Sequence, residues 1–240
     1  MKAIQFGSKF EAISPSCFID VVSLLSVTLN AKCLEIGDAA FKNCTGLKYV
    51  NSLRPNTTAV VTQIGNEAFR NTGLEDITIQ LSNGGSYGAG CGSYAFADNS
   101  HLSSVKMERN PYVGEYMFSN CTNLRSFSMA NSHSYVGRNA FENCVSLRSI
   151  TFPQNFYWLT EEMFKGCTNL TSVSFQETSQ LRTIDGDVFS GCSSLTSITL
   201  PSSVSSLEYV DDNFLRGSKI GRVVFNGLAN ENIATEYKAP

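Results

Sequence analysis

Hydrophobic and polar positions along this chain follow a pattern that recurs every 22 to 28 residues. Each copy has an aliphatic residue, a phenylalanine five positions later, then a small residue, a leucine and a short alternating strand. Residues 136–152 and 184–200 are two clear copies. Self-similarity at a period of about 20 to 50 residues is typical of solenoids, in which each unit buries its apolar face against its neighbours. The pattern therefore predicts one elongated stack of units.

The phenylalanine is the most constant position of the repeat. It recurs as Phe18, Phe41, Phe69, Phe96, Phe118, Phe141, Phe164 and Phe189, with Leu215 in the last unit. Because the spacing varies while the motif does not, length differences are expected in the connections between units. We expect a single domain over residues 1–240 with about nine units. Their expected ranges are 13–29, 36–53, 64–79, 91–107, 113–129, 136–152, 159–175, 184–200 and 210–225.

Local sequence signals predict the shape of one unit. The segment around each phenylalanine is too short for an independent helix, but one or two helical turns could form under cover of neighbouring units. Two residues after the phenylalanine stand residue types that accept a left-handed backbone. These are Asn43, Asn71, Asp98, Asn120, Asn143, Gly166, Gly191 and Gly217. The following strand alternates apolar and small polar residues, as in residues 149–152, so one face points inward.

These signals predict an α/β solenoid with a long parallel β-sheet and short helical or 3-10 turns. On the outer face of the sheet we expect small polar side chains such as Ser149 and Thr151, because they flank the inward-facing residue of the strand.

Cysteine occupies one repeat position, three residues after the phenylalanine. The members are Cys44, Cys121, Cys144, Cys167 and Cys192. Val21, Thr72 and Asn99 take the same position in other units, so the position requires a small side chain and not a disulfide partner. We therefore expect free thiols that pack as small hydrophobic groups. No C-x-x-C spacing typical of zinc or redox sites occurs, and we expect no metal site and no cofactor.

Charge and hydropathy exclude several kinds of partner. The net charge is -3 and no run of Lys or Arg occurs, which argues against nucleic acid or an anionic membrane surface. No segment approaches the roughly 20 apolar residues of a membrane span. The first residues lack the apolar stretch of a secretory signal. The interpretation is thus either an intracellular protein or a trimmed or internal piece of a longer one.

The motif as a whole has a known counterpart. The sequence Val136-Gly-Arg-Asn-Ala-Phe141, the Cys144-Val-Ser-Leu147 that follows it, and Pro201-Ser-Ser-Val204 resemble the BspA-like leucine-rich repeat family over about residues 13–225. The resemblance implies a leucine-rich-repeat solenoid, expected as a right-handed superhelix. It also implies surface or secreted proteins of bacteria and protists that act in adhesion and protein binding, with no catalytic activity attached to the repeat.

Candidate binding residues come from the positions before the first aliphatic residue of each unit. One position before it stand Tyr112, Tyr135 and Trp158, and two positions earlier stand Asn110, His133 and Phe156. If the aliphatic residues point inward, alternation sends these side chains outward in a column. Tyr and Trp lead among interface anchors, so Tyr112, Tyr135, Phe156 and Trp158 form the predicted partner-binding set. The alternative interpretation is that the rings only stack along the ladder and shield its edge.

Three functions follow from these observations. The first is a non-catalytic adhesion module at the cell surface or outside the cell, which binds a host matrix protein, a neighbouring-cell protein or a glycan. The second is an intracellular scaffold for protein–protein interaction. An enzyme is disfavoured, because the two histidines, His101 and His133, have no nucleophile and carboxylate at recurring spacing. No catalytic residue is therefore assigned.

Overall fold

The computed structural model describes residues 2–57, 61–81, 90–108, 112–130, 135–205 and 208–226. Within these ranges the chain winds into a parallel-strand solenoid of about nine coils. One side, which we call the long-strand side, carries the strand that ends each repeat. Its strands are β1 (Ala3–Gln5), β3 (Ser26–Thr28), β5 (Tyr49–Val50), β7 (Asp76–Gln80), β8 (Ser104–Glu108), β9 (Ser126–Met129), β10 (Ser149–Phe152), β12 (Ser172–Phe175), β14 (Ser197–Leu200) and β15 (Arg222–Phe225).

A second side, the short-strand side, carries two-residue strands. They are β2 (Ala12–Ile13), β4 (Glu35–Ile36), β6 (Gln63–Ile64), β11 (Trp158–Leu159) and β13 (Thr183–Ile184). Single parallel bridges continue the ladder at Ile64 with Cys91, Val113 with Val136, and Ile184 with Val210. All described pairings are parallel, as a solenoid with one turn per repeat requires.

The phenylalanine column forms the core, as the repeat predicts. Phe41 through Phe189 in this column are all fully buried. Consecutive rings stack with centroids 5.3 to 6.0 Å apart, from Phe18 at one end to Phe189 at the other. Each ring therefore covers the next, and no unit has a core of its own. This matches the expectation that neighbours bury the apolar face of each unit.

The cysteine column is buried beside the rings. All eight cysteines are free, and only Cys17 is exposed. The Cys144 thiol donates a 3.2 Å hydrogen bond to the carbonyl oxygen of Phe118, one coil earlier, and the Cys167 thiol donates to Phe141 in the same way. The free-thiol prediction is confirmed. In one unit Asn99 stands at the cysteine position and makes the equivalent hydrogen bond, because its Nδ2 donates to the carbonyl oxygen of Phe69 at 2.9 Å.

The turns around the phenylalanines are not helical, so the expectation of short helical turns is wrong. The N–H of Phe41 donates to the carbonyl oxygen of Ala68 in the next coil, whereas the N–H of Cys44 donates locally to Phe41. Because every second N–H group of the turn donates to the next coil, the i to i−4 hydrogen bonds of an α-helix cannot form. In the described ranges the single helix is a 3-10 turn at Asn51–Leu53, which lies after β5.

The left-handed positions after each phenylalanine are confirmed. Asn43, Asn71, Asp98, Asn120, Asn143, Gly166, Gly191 and Gly217 all have positive φ. Asn and Asp side chains at these positions also bond from coil to coil, since Asn143 Nδ2 donates to Asn120 Oδ1 at 2.9 Å and Asn120 Nδ2 donates to Asp98 Oδ1 at 2.8 Å. Four residues earlier a second left-handed residue recurs, such as Tyr94 and Tyr116, which the sequence did not predict.

The long-strand side is not one continuous sheet. It is divided into four blocks, with unpaired neighbours at β5 and β7, at β9 and β10, and at β12 and β14. After β5 the chain enters the 3-10 turn and leaves the ladder. Between β9 and β10, the ring of Phe127 packs edge-on against Phe118 and Phe141, where most other coils place an aliphatic residue. The segment between β12 and β13 is two residues longer than the one between β10 and β11.

Candidate functional site

The predicted aromatic residues lie on the short-strand side, where each coil contributes one position to a straight column. The Val113–Val136 bridge fixes the coils of Tyr112 and Tyr135 in register, and β11 pairs Trp158 with Thr183. Leucine or valine at the next position points into the core, so the aromatic side chain of each pair points outward. The column is therefore a direct result of the repeat register.

The rings contact one another along the column. Tyr112 and Tyr135 stack with centroids 5.2 Å apart and planes 15° apart, and Trp158 meets Tyr135 edge-on at 5.8 Å. This confirms that the rings stack along the ladder. Tyr112 is 47% exposed, while Tyr135 and Trp158 are half-buried, so a continuous aromatic surface reaches solvent. We call Tyr112, Tyr135 and Trp158 the aromatic column.

A glycine lies next to the first residue of the aromatic column. Gly90 occupies the equivalent position one coil earlier, and a Cβ atom there would lie 2.8 Å from the Cβ of Tyr112. A side chain at this position would therefore displace Tyr112. At the other end, the Ile184–Val210 bridge brings Tyr209, 58% exposed, beside Thr183.

Phe156 does not belong to this surface, so its predicted outward orientation is wrong. The residue is fully buried, and its ring lies 3.9 Å from that of Phe152, with planes 17° apart. The reason is local: the N–H of Phe156 donates to the carbonyl oxygen of Pro153, which closes a turn. The turn breaks the period-two alternation on which the prediction depended. The other two residues predicted at this offset, Asn110 and His133, lie outside the described residues.

Charged and polar groups surround the aromatic column. Burial raises the pKa of Tyr135, and the nearby Tyr112, Glu115 and Asp185 raise it further. Glu115 is paired with Arg138 at 3.2 Å. The arrangement has aromatic rings with charged groups beside them, and an aromatic centre with a polar rim is typical of protein-binding surfaces.

Sequence reasoning missed part of this surface. Asp185 lies two residues after Thr183, just past the end of β13, and its charge acts on the pKa of Tyr135; period-two counting from Thr183 points to this position. Tyr157 is 43% exposed and also acts on the pKa of Tyr135. It stands beside Trp158 in sequence, where strict alternation assigns the opposite face, so no sequence signal pointed to it.

A second aromatic pair lies elsewhere, on the turns. Tyr94 and Tyr116 stack with centroids 4.6 Å apart, and the guanidinium of Arg70 lies 5.4 Å from the Tyr94 ring. Arg70 is already held by Glu67 at 2.5 Å and Asp98 at 2.6 Å. This pair is embedded in a charge network, and it provides a matched control for the aromatic column.

In the described part of the chain, the side chains that could bind a metal ion are not grouped, and the thiols of the cysteine column are buried. No group of three or more His, Cys, Asp or Glu side chains is placed to hold a metal ion there. Burial raises the pKa of the Cys144 and Cys167 thiols well above the usual range, which removes their nucleophilic form at neutral pH. Among the described residues no helix has the length and hydropathy to cross a bilayer.

Comparisons with known proteins agree with the solenoid. A family model described as BspA type leucine rich repeat region, in six copies, matches residues 1–86 and 90–230. No curated protein matches the chain.

Solved structures resemble this fold. A leucine-rich repeat protein of T. pallidum is 24% identical, with a TM-score of 0.52, over 80% of this chain and 77% of that chain. A leucine-rich repeat protein of Bacteroides ovatus is 21% identical, with a TM-score of 0.43, over 96% and 77%. A leucine-rich cell surface protein of Faecalibacterium prausnitzii is 20% identical, with a TM-score of 0.47, over 95% and 80%.

Proposed function

Because the chain belongs to the BspA-type leucine-rich repeat family, whose repeats suggest a protein-interaction module, we propose that its short-strand side binds a partner protein through the aromatic column. The partner we propose is a host matrix protein or a protein of a neighbouring cell, and the module acts in adhesion at the cell surface or outside the cell. The proposal includes no catalytic step.

The continuous ring surface of Tyr112, Tyr135 and Trp158 is the observation that carries this proposal. Large aromatic side chains with few rotatable bonds lose little entropy when a partner covers them, and they dominate measured binding energies. The rings also sit on bridged coils, so their positions are fixed before binding. Preorganisation lowers the entropy lost on association.

The test is a binding measurement with purified, immobilised matrix proteins. The double variant Tyr135→Ala with Trp158→Ala should weaken capture at least about tenfold, since interface anchors typically contribute about 2 kcal/mol or more each. The control is Tyr94→Ala with Tyr116→Ala, which removes a stacked aromatic pair from the turns and should leave capture unchanged. Equal capture by both double variants, at unchanged melting temperature, would reject the proposal.

Location needs its own experiment. Fractionation of native cells should place the protein in the surface or medium fraction. Recovery in the cytosol would reject the adhesion role and would favour an intracellular scaffold built on the same face.

A further inference from the structure

The indole nitrogen of Trp158 lacks a hydrogen-bond partner. Its Nε1 atom is buried, and no described residue offers it an acceptor, although Trp158 as a whole is only half-buried. Buried N–H groups in proteins are nearly always paired, and an unpaired one destabilises the fold. Because Trp158 is only half-buried, rotation of its side chain can bring this N–H to an acceptor that a partner supplies.

The coils that carry the aromatic column are rich in acidic residues beside it. In the five coils from Val113 to Val210, the charged residues within two positions of the inward aliphatic residue are six acids and two bases. The bases are Arg138 and Arg182. The short-strand side therefore has excess negative charge along these coils, which favours a partner of opposite charge. The acids are Glu115, Glu161, Asp185, Glu208, Asp211 and Asp212.

Two of these carboxylates, Asp185 and Glu161, have no cationic partner. Arg138 pairs with Glu115 at 3.2 Å, and no ion pair among the described residues includes Asp185 or Glu161. Both lie near the aromatic column. Burial raises the pKa of Tyr135, and the Asp185 carboxylate raises it further. The paired Glu115 raises the pKa of Arg138, and Glu161 raises it further.

The positions of these groups suit one extended peptide segment. Because β11 pairs Trp158 with Thr183, Glu161 and Asp185 belong to adjacent coils, which are about 4.8 Å apart. Alternate side chains of an extended peptide lie about 6.6 Å apart on one face. The aliphatic stems of lysine and arginine can bridge this small difference while they pack on apolar surface such as the rings. The backbone of the segment also provides the carbonyl acceptor that Trp158 lacks.

We propose that the aromatic column binds a basic polypeptide segment, in which lysine or arginine side chains pair with Asp185 and Glu161 and a backbone carbonyl accepts a hydrogen bond from Trp158 Nε1. This inference rests on the function proposed above, because it uses the same surface, and it specifies the chemistry of the partner.

NMR titration tests this with a short peptide of alternating arginine and serine, and with a peptide of alternating glutamate and serine for comparison. The arginine peptide should bind at least about tenfold more tightly, and its binding should weaken as the salt concentration rises from about 0.05 to 0.5 M. Trp158 is the single tryptophan, so one indole N–H signal reports on it. That proton signal should move downfield when the arginine peptide binds, because the N–H gains an acceptor.

Neutral variants separate the local charge from the overall charge. Glu161→Gln with Asp185→Asn should weaken binding of the arginine peptide at least about tenfold. The matched control is Glu11→Gln with Glu177→Gln, which changes the net charge equally but alters exposed carboxylates before β2 and after β12. The control should bind as the unchanged protein does, and both double variants should keep its melting temperature. Trp158→Phe retains an aromatic ring without the donor and should weaken binding several-fold.

The inference is overturned if the arginine peptide does not bind, or if salt or the exchange of arginine for glutamate leaves its affinity unchanged. Equal binding by the two double variants, unweakened binding by Trp158→Phe, or an indole signal that stays in place at saturation would also overturn it.

Failure of this inference and failure of the proposed function are distinguishable. If Tyr135→Ala with Trp158→Ala loses capture of matrix proteins while Glu161→Gln with Asp185→Asn keeps it, the inference alone fails. If the aromatic double variant captures matrix proteins normally, the proposed function fails.

Discussion

The thiol of Cys144 donates a hydrogen bond to the carbonyl oxygen of Phe118, which lies one coil earlier in the solenoid. The same contact recurs from Cys121 to Phe96 and from Cys192 to Phe164. Each cysteine therefore stabilises the junction between two coils while it fills space beside the phenylalanine column. This arrangement explains why the position accepts Asn99, whose amide also donates to a phenylalanine carbonyl.

Buried thiols should make the protein sensitive to alkali. Burial raises the pKa of Cys121 and Cys192 to about 12, whereas an exposed thiol titrates at about 8.5. Between these values the unfolded chain releases protons that the native state keeps. The free energy of unfolding should therefore fall as pH rises, by about 1.4 kcal/mol per pH unit for each thiol.

Urea denaturation at several pH values from 8 upward checks this prediction. The control is the double variant Cys121→Ala with Cys192→Ala, whose free energy of unfolding should fall less steeply with pH. Identical slopes for the two proteins would contradict the buried-thiol account.

Removal of a core ring should strongly destabilise the fold. Phe164 is fully buried and stacks on Phe141 at 5.5 Å and on Phe189 at 6.0 Å. Phe164→Ala should therefore lower the free energy of unfolding by about 3 to 5 kcal/mol. Phe10→Ala is the matched control, because Phe10 is 51% exposed, and it should cost less than about 1 kcal/mol. Chemical denaturation measures both, and similar losses for the two variants would refute the column as the core.

Substitution by alanine should affect stability differently at two glycines, because only Gly166 of the two has a left-handed backbone. Gly166 has a φ of +74°, and a Cβ atom there would clash with Oδ1 of Asn143. Gly166→Ala should therefore lower the free energy of unfolding by at least about 1 to 2 kcal/mol. Nothing lies within 4 Å of a Cβ atom at Gly221, so Gly221→Ala should be nearly neutral. A calorimetric melting temperature lowered equally by both substitutions would contradict the assigned backbone.

Trp158 is the single tryptophan of the chain and reports on the aromatic column. Its indole meets Tyr135 edge-on, so Tyr135→Ala should expose it. We expect the emission maximum to shift to longer wavelength and quenching by iodide to increase. Tyr94→Ala, on the turns, should change neither property. An unchanged spectrum in Tyr135→Ala would mean that the two rings are not in contact in solution.

Much of the fold could be predicted because the same sequence motif recurs in every unit. The burial of Phe164, the left-handed backbone of Asn143 and the inward direction of Ile150 follow from residue type and spacing alone. Repetition makes the assignment of inward and outward positions more certain, because one wrong assignment would place polar residues in the core of every coil. Local signals and tertiary packing agree, as expected for a minimally frustrated sequence.

Three features were not predictable by the same reasoning. The local sequence predicts helical turns around the phenylalanines. It does not show that alternate N–H groups, such as that of Phe41, donate to carbonyl oxygens of the next coil. Tyr94 and Tyr116 have positive φ although neither residue type favours it. Within the candidate site, Phe156 turned inward because of a local turn, while the stacking of Tyr112 on Tyr135 followed from spacing alone.

The stacking of equivalent residues in successive coils can be tested directly by engineered disulfides. Ser149 on β10 and Ser172 on β12 are exposed register partners, and adjacent strands lie about 4.8 Å apart, within the Cα range of a disulfide. In a Cys17→Ser background, Ser149→Cys with Ser172→Cys should form the intramolecular bond under mild oxidation, as read by mass spectrometry. Ser149→Cys with Ser197→Cys, two coils apart, should not. Absence of the first bond, or equal yields of both, would contradict the solenoid register.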